Sequence, residues 1–303
     1  MKPETKQRRG VFIPLLIVFV LLFTACNSTS YKGSDGIVEP SEVAESMDNS
    51  QVIVIDARSP EDYAKGHLQG AVCITAGELT IADPVKGMLA PKEQIEKVLS
   101  EKGISNDSIL YIYDNSKGVY ASRLWWALKV YGHDQVKVIN NGQKGLELAN
   151  LPMTLDVPDL PATTYQAKDA NLSMIATKED VIKVTESDNS DVKIVDVRSQ
   201  AEFDEGAIPG AILYPHTKNL YSDGTFKSAR DTYLFYKDLG LEKDDPIILY
   251  CKSSFRATQT VLVLEEAGYT DVKVYDGAWL EWSAGDMPTE KEEKKTPSVQ
   301  DAS

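Results

Sequence analysis

The chain repeats itself once, at an offset of 140 residues, and a duplication of that length commits it to two similar domains. Val52-Ile53-Val54-Ile55-Asp56-Ala57-Arg58-Ser59 is matched by Val192-Lys193-Ile194-Val195-Asp196-Val197-Arg198-Ser199. Gly66-His67-Leu68-Gln69-Gly70-Ala71 is matched by Gly206-Ala207-Ile208-Pro209-Gly210-Ala211, and Tyr63 by Phe203. Asn141-Gly142, late in the first half, corresponds to Asp276-Gly277 in the second. At 303 residues the chain has room for two ordinary domains.

Within each half, short β-branched runs alternate with helical patterns. Strands are predicted over 52–56, 109–113 and 136–139, and again over 192–196, 246–250 and 272–275. They are short, apolar and bounded by polar or turn residues, as strands buried on both faces are. Helices are predicted over 40–47, 60–65, 91–101, 120–131, 177–186, 229–239 and 256–267, with Gly103, Gly132, Gly240 and Gly268 placed to end them. The fold class is therefore α/β: two tandem domains, each a mostly parallel sheet flanked by helices. The first domain is expected over 37–150 and the second over 169–288. A linker over 151–168 carries Pro152, Pro158 and Pro161, and the Glu/Lys/Thr/Ser-rich tail, 289–303, is expected to be disordered.

The first 25 residues stand apart. Lys2, Lys6, Arg8 and Arg9 precede an apolar run from Val11 to Phe23, the basic and hydrophobic regions of a signal peptide. The run falls short of the roughly 20 apolar residues a bilayer span needs, and Pro14 interrupts it. It ends at Phe23-Thr24-Ala25-Cys26, followed by Asn27-Ser28-Thr29-Ser30. Small residues before a cysteine and a polar stretch after it resemble a bacterial lipoprotein signal, whose cysteine becomes the lipidated N-terminus. The expectation is a signal peptide over 1–25, lipidation at Cys26 and a tether over 26–36. The mature chain would then sit on the extracytoplasmic face of the cell membrane, held by its lipid anchor. The alternative is an ordinary secretory signal cut near Ala25, with Cys26 left free.

The formal charge is −14, and −17 without residues 1–25 (28 basic against 45 acidic side chains). Such a surface repels nucleic acid, whose recognition rests on neutralising phosphates. An anionic substrate needs a local positive site against this background. Once Cys26 is assigned to lipid, only Cys73 and Cys251 remain, too few and too far apart for a disulfide framework. The three histidines are scattered and no C-x-x-C occurs, so no metal site is expected.

Chemistry concentrates at Tyr250-Cys251-Lys252-Ser253-Ser254-Phe255-Arg256-Ala257-Thr258. A strand ends, a tight turn follows and an apolar helix begins. Cys251 thus falls at the carboxyl end of a strand, where open α/β sheets place their sites. The next N–H groups can curl around its sulfur at a helix N-terminus, whose partial positive charge favours an anion. Lys252 and Arg256 add full charges. All three effects stabilise a thiolate and would equally hold the outer sulfur of a persulfide. The alternative is a buried structural cysteine, against which the polar, cationic setting argues. Cys73, in the apolar Ala71-Val72-Cys73-Ile74, is read as structural.

Several stretches resemble the motifs of the rhodanese family: Asp196-Val197-Arg198-Ser199, Glu202-Phe203, Gly206 to Ala211, Cys251 to Arg256, and Tyr275-Asp276-Gly277-Ala278-Trp279-Leu280-Glu281-Trp282. The duplicated layout resembles the two-domain thiosulfate and mercaptopyruvate sulfurtransferases over roughly residues 37–288. Ser222-Asp223-Gly224-Thr225-Phe226-Lys227-Ser228 is similar to the connection before their active-site strand. Tyr113-Asp114-Asn115 and Ala121-Ser122-Arg123-Leu124-Trp125-Trp126 are similar to their non-catalytic first domain.

The resemblance implies a ping-pong reaction. Cys251 would take sulfane sulfur from a small-molecule donor as a persulfide and pass it to a thiol or to cyanide. No cofactor is implied, because a nucleophile and an anion cradle suffice. The cradle would comprise Lys252, Ser253, Ser254, Phe255 and Arg256, with Arg198 nearby. The C-x4-R loop is shorter than the C-x5-R of phosphatases and arsenate reductases of this fold, and suits one sulfur rather than a tetrahedral oxyanion. Lys252 directly after the cysteine matches the thiosulfate enzymes, and the Gly-Ser-Gly of mercaptopyruvate enzymes is absent. Glu202 departs from the arginine many thiosulfate enzymes carry there. Thiosulfate is the expected donor; the alternative is a non-catalytic sulfane-sulfur carrier. The first domain, with Asp114 and Asn115 in place of Cys251, is expected to be inert.

Arg58 and Arg198 follow strand-end acids in matching positions, so pairing with Asp56 and Asp196 competes with any role at the site. His67 is read as bracing a turn, His216 as lining the cleft between domains, and Trp279 and Trp282 as packing residues.

Overall fold

A computed structural model of the chain describes residues 30–187, 190–285 and 287–291. The expected signal peptide, Cys26 and the tail from 292 lie outside the described residues. The first domain contains strands β1 (Ile37–Val38), β2 (Val52–Asp56), β3 (His67–Leu68), β4 (Val72–Cys73), β5 (Ile109–Tyr113), β6 (Val136–Ile139) and β7 (Met153–Thr154). Its helices are α1 (Pro40–Ser46), α2 (Pro60–Ala64), α3 (Lys92–Glu101), α4 (Val119–Val130) and α5 (Gly142–Leu148). The second contains β8 (Ile175–Ala176), β9 (Lys193–Asp196), β10 (Ile212–Leu213), β11 (Ile247–Tyr250) and β12 (Val272–Tyr275). Its helices are α6 (Lys178–Thr185), α7 (Gln200–Glu205), α8 (Ala229–Lys237), α9 (Phe255–Glu266) and α10 (Ala278–Ala284).

Both five-stranded sheets are parallel throughout and share one strand order. It runs β1-β6-β5-β2-β4 in the first domain and β8-β12-β11-β9-β10 in the second. The starts of α2 and α7 are set by Ser59 and Ser199, whose hydroxyls accept from the N–H groups of Asp62 and Glu202. Thr177 and Asp180 close a capping box on α6. The long helices α4 and α9 pack against each other across the domain boundary. Trp125, Trp126 and Leu128 of α4 join Val261, Leu262 and Leu264 of α9 in one apolar core that runs through both domains. Each of these helices is buried on two sides, by its own sheet and by its counterpart, so each is apolar almost all round.

The same brace stands at matching strand ends. In the first domain Arg58 Nε donates to both carboxylate oxygens of Asp56 (2.9 and 3.0 Å), and the Tyr113 hydroxyl donates to Asp56 Oδ2 at 2.5 Å. In the second, Arg198 Nε donates to both oxygens of Asp196 (3.0 and 2.8 Å), and Nη2 reaches the carbonyl of Gly206 at 2.7 Å. Each guanidinium lies over a tyrosine ring, Tyr113 or Tyr250. A buried ion pair with its remaining donors satisfied is tolerated at little net cost, whereas half of it is not.

Three expected boundaries are corrected. Residues 31–36 are not free tether: Tyr31 is buried, its hydroxyl donates to the Lys227 carbonyl, and Gly36 N–H donates to Glu266 Oε1 at 2.6 Å. The expected linker begins as strand β7, antiparallel to β3, and continues along α3, where Thr163 and Tyr165 donate to the carbonyl and hydroxyl of Ser100 at 3.0 and 2.9 Å. Order also extends past 288: Ala207 and Glu290 exchange backbone hydrogen bonds of 2.8 and 2.9 Å. Strands of one or two residues carry no periodicity to read, and the prolines around β7 hid it further.

Replacing Asp196 with alanine strands the buried Arg198 guanidinium, and the expected loss is about 3–5 kcal/mol of unfolding free energy in urea. Asp56→Ala should cost a similar amount; a loss below about 1 kcal/mol, typical of an exposed pair, would overturn this account of the brace.

Candidate active site

Strand β11 delivers Cys251 to the sheet's carboxyl edge, and α9 begins four residues later. The turn between them is held from outside. Trp279 and Leu280, at the start of α10, donate their N–H groups to the carbonyls of Cys251 and Lys252, both at 3.0 Å. Ser254 takes a left-handed conformation (φ 64°), which lets the chain fold back into the helix. Its buried hydroxyl donates to the Ser253 carbonyl at 2.7 Å and to Asp276 Oδ1 at 3.0 Å.

Cys251 is only 1% exposed and is itself part of the apolar core, deeper than a strand-end position alone suggested. What surrounds it becomes plain from the first domain. There Asp114 occupies the position after β5 that Cys251 occupies after β11. Its carboxylate accepts four backbone hydrogen bonds, from Ser116 and Gly118 (both 2.9 Å) and from Tyr120 and Ala121 (2.8 and 3.0 Å). Gly118, like Ser254, is left-handed and caps the next helix. The turn is therefore a ring of N–H groups at a helix N-terminus, and in the first domain it is closed around a resident carboxylate. In the second domain the N–H groups of Ser253, Ser254, Arg256 and Ala257 have no acceptor among the described residues. The side chain that follows β11 is a thiol, one bond shorter than the carboxylate that follows β5.

Arg256 adds charge, but not freely. Its Nη1 and Nη2 donate to Glu202 Oε2 and Oε1, both at 2.8 Å. These bonds hold the Glu202 carboxyl down at about 2. The same bonds raise Arg256 above the ordinary guanidinium value; burial opposes that, and the nearby Cys251 sulfur reinforces it. Lys252 is exposed. With Ser253 and Phe255 it lines a cleft of about 520 Å³ whose opposite wall is Ile81, Ala82, Lys86, Gly87 and Tyr120 of the first domain. Among the described residues no group of His, Cys, Asp and Glu is arranged to hold a metal ion.

Residues 39–149 and 177–285 each match the rhodanese-like domain. The chain belongs to the rhodanese family. A protein of Mycolicibacterium smegmatis named "Putative thiosulfate sulfurtransferase" is 34% identical over 239 residues, covering 73% of this chain and 84% of that one. "Sulfur carrier protein TtuD" of Thermus thermophilus is 33% identical over 276 residues, covering 83% of this chain and 95% of that one. Among solved structures, SseA from Escherichia coli, described with the mechanism of 3-mercaptopyruvate sulfotransferases, matches with a TM-score of 0.71 at 28% identity, over 80% of this chain and 98% of that one.

Not every residue expected at the site of this rhodanese is there. Arg198 is corrected to a brace: it is 2% exposed, bonded to Asp196, and stacked on Trp279 at 4.3 Å. Cys73 is only partly buried, but that burial raises its thiol to about 11, so it stays protonated and unreactive at neutral pH. His67 lies on the Tyr63 ring at 3.7 Å and bridges the carbonyls of Tyr63 and Asp156. Trp282 is buried, with its indole N–H on the Pro288 carbonyl at 2.9 Å. Two residues given no role from the sequence matter here, Asp276 and Arg123. The available signal for Arg123 was a charge in mid-helix, flanked by apolar residues, a placement that calls for a partner.

His216 stands within electrostatic reach of Arg256 and of Lys117, one from each domain, and its Nδ1 is buried without a partner. Burial, then the Arg256 charge, push it down to about 4 from an ordinary 6.5. Between those values the unfolded chain binds the proton and the folded chain does not. Stability is therefore lost as pH falls through that window, at up to about 1.4 kcal/mol per pH unit. His216→Asn should flatten this slope relative to wild type in urea titrations at pH 4 to 7, the carboxylates common to both cancelling in the difference. Parallel curves would show that His216 is not held neutral.

Proposed function

We propose that this chain is a sulfurtransferase that moves sulfane sulfur from thiosulfate, or a donor of the same type, to a thiol or cyanide through a persulfide on Cys251. It would act on the extracytoplasmic face of the cell membrane, anchored by lipid on Cys26. The observation that carries the activity is the contrast between two versions of one backbone ring. The carboxylate of Asp114 fills the first, and in the second the loop N–H groups that follow Cys251 have no acceptor among the described residues. A persulfide lengthens that side chain by one sulfur and carries the charge the ring is built to hold.

The steps follow from that arrangement. The Cys251 thiolate attacks the outer sulfur of thiosulfate. A new S–S bond forms, the old one breaks, and its electron pair leaves with sulfite. The persulfide anion rests against the loop N–H groups and Arg256. Cyanide then attacks the outer sulfur, thiocyanate departs, and the S–S electron pair returns to Cys251 as thiolate. The two electrons that the cyanide carbon formally gives are taken up by the transferred sulfur, so no external oxidant, reductant or cofactor is called for. Lys252, exposed at the cleft, supplies the attraction for an anionic donor that Arg256, shared with Glu202, gives only in part.

The name of the mycolicibacterial relative and Lys252 favour thiosulfate, while the description of SseA favours 3-mercaptopyruvate as the competing donor. The relative named as a sulfur carrier supports the alternative, a persulfide handed to a partner rather than to a small acceptor.

Thiocyanate formation by the purified protein, with thiosulfate and separately with mercaptopyruvate, should be greater with thiosulfate and should vanish in Cys251→Ser. Mass spectrometry after donor treatment should find one added sulfur on Cys251 and none on Cys73. A persulfide without thiocyanate turnover would favour the carrier, and activity retained in Cys251→Ser would end the proposal. For the anchor, Cys26→Ala should release the protein from the membrane fraction of expressing cells; an unchanged membrane fraction would refute lipidation there.

A further inference from the structure

We infer that Arg123, in the domain that lacks a nucleophile, is a positioning residue for the sulfur-binding loop of the other domain. The inference rests on the reading of Cys251 given above. Arg123 is fully buried in α4. Its Nη1 lies 2.9 Å from Asp276 Oδ1, an ionic contact rather than an aligned hydrogen bond, and Nη2 donates to the Gly87 carbonyl at 2.8 Å. The guanidinium lies over the ring of Phe255 at 5.2 Å. Asp276 in turn accepts from the Ser254 hydroxyl at 3.0 Å and from Leu89 N–H at 2.7 Å.

These contacts form one chain: a first-domain cation, a second-domain acid, then the left-handed residue of the loop. Ser254 is not glycine, and an L-residue keeps a left-handed backbone only where its surroundings hold it. Asp276 supplies that hold through the hydroxyl, and Arg123 supplies the charge that keeps a buried carboxylate in place. Phe255, the next residue, is held under the same guanidinium. The reciprocal contact is weaker: Gln259 of α9 donates to the carbonyl of Lys117 in the first domain's loop at 2.7 Å. Each long helix thus reaches into the other domain's turn, and the reach toward the thiol carries the charge.

If Arg123 acts through Asp276 and Ser254, removing it and removing the Ser254 hydroxyl should damage the same step. The test compares Arg123→Lys, Arg123→Met, Ser254→Gly, and the combination of Arg123→Met with Ser254→Gly. Three quantities are read: kcat and KM for thiosulfate, melting temperature, and the rate of Cys251 alkylation by iodoacetamide. Arg123→Lys keeps the charge but not the fork. It should lower kcat about tenfold with KM changed less than about threefold, and should slow alkylation while melting close to wild type. In the Ser254→Gly background, Arg123→Met should cost less than about threefold more. Full multiplicative losses, or a lowered melting temperature with unchanged kcat and alkylation, would overturn the inference. Should Arg123→Met fail to fold, Arg123→Lys combined with Ser254→Gly decides by the same criterion. The alkylation rates keep the two readings apart. A wild type inert to every sulfur donor would refute sulfur transfer, and the alkylation series would still report whether Arg123 shapes the loop.

Discussion

A turn that aims several backbone N–H groups at one point, at the start of a helix, must be given something negative to hold. That requirement organises both halves of this protein. Such groups cannot be satisfied by the helix they begin, and in a buried place they are costly to leave bare. The first domain answers with Asp114, whose carboxylate accepts from four of them. Burial raises that carboxyl above the ordinary aspartate value while the four N–H groups pull against it. The second domain places a thiol, Cys251, after the matching strand, and the N–H groups of Ser253, Ser254, Arg256 and Ala257 have no acceptor there among the described residues. The duplication thus sets two versions of the turn side by side, one closed around its own carboxylate and one that follows a cysteine.

The retention of the first domain has a physical basis in the seam. Helices α4 and α9 share one apolar core, so the side of each helix that faces away from its own sheet is covered only by the other domain. Separating the halves would expose Trp125, Trp126, Val261 and Leu262, residues buried almost completely. The loop around Cys251 belongs to this seam as much as to its own domain. Gly87 of the first domain lies so close that a side-chain carbon there would sit 3.4 Å from Phe255 and from the Ser253 carbonyl. The first domain thus forms one wall of the cleft beside the loop that follows Cys251.

Much of this was legible in the sequence, for reasons that particular residues make clear. Buried parallel strands are continuous apolar runs, so β2, β5 and β6 and their counterparts could be read almost to their ends. Thr177, with an acid three positions on, marks the start of the helix expected over 177–186 by a local mechanism, and local mechanisms need no tertiary knowledge; the short helix α7 after Ser199 was not expected. The long-range features were hidden. Strand β7 is two residues whose partner β3 lies some eighty positions away, and no period exists in two residues. The packing of residues 81–89 of the first domain against Ser253, Phe255 and Asp276 is another such feature, which nothing near Cys251 announces. Arg198 could be placed in either role from its motif alone. The choice was made by Asp196, which takes its guanidinium before any substrate can.

The charge balance of the site follows from the same competition for partners. On a chain this acidic, a freely exposed arginine beside a thiolate would be the strongest local attractor of anions. Instead Glu202, which also caps α7, grips Arg256 with two hydrogen bonds. The pair costs little to keep because both members are only partly buried, and it holds the guanidinium in a fixed orientation beside the sulfur. Positive potential at the turn is therefore spread over Lys252, Arg256 and the helix N-terminus rather than gathered in one dominant ion pair. A diffuse field of that kind would bind a small anionic donor weakly, and under the proposed reaction the tightest interaction would be kept for a sulfur held on Cys251.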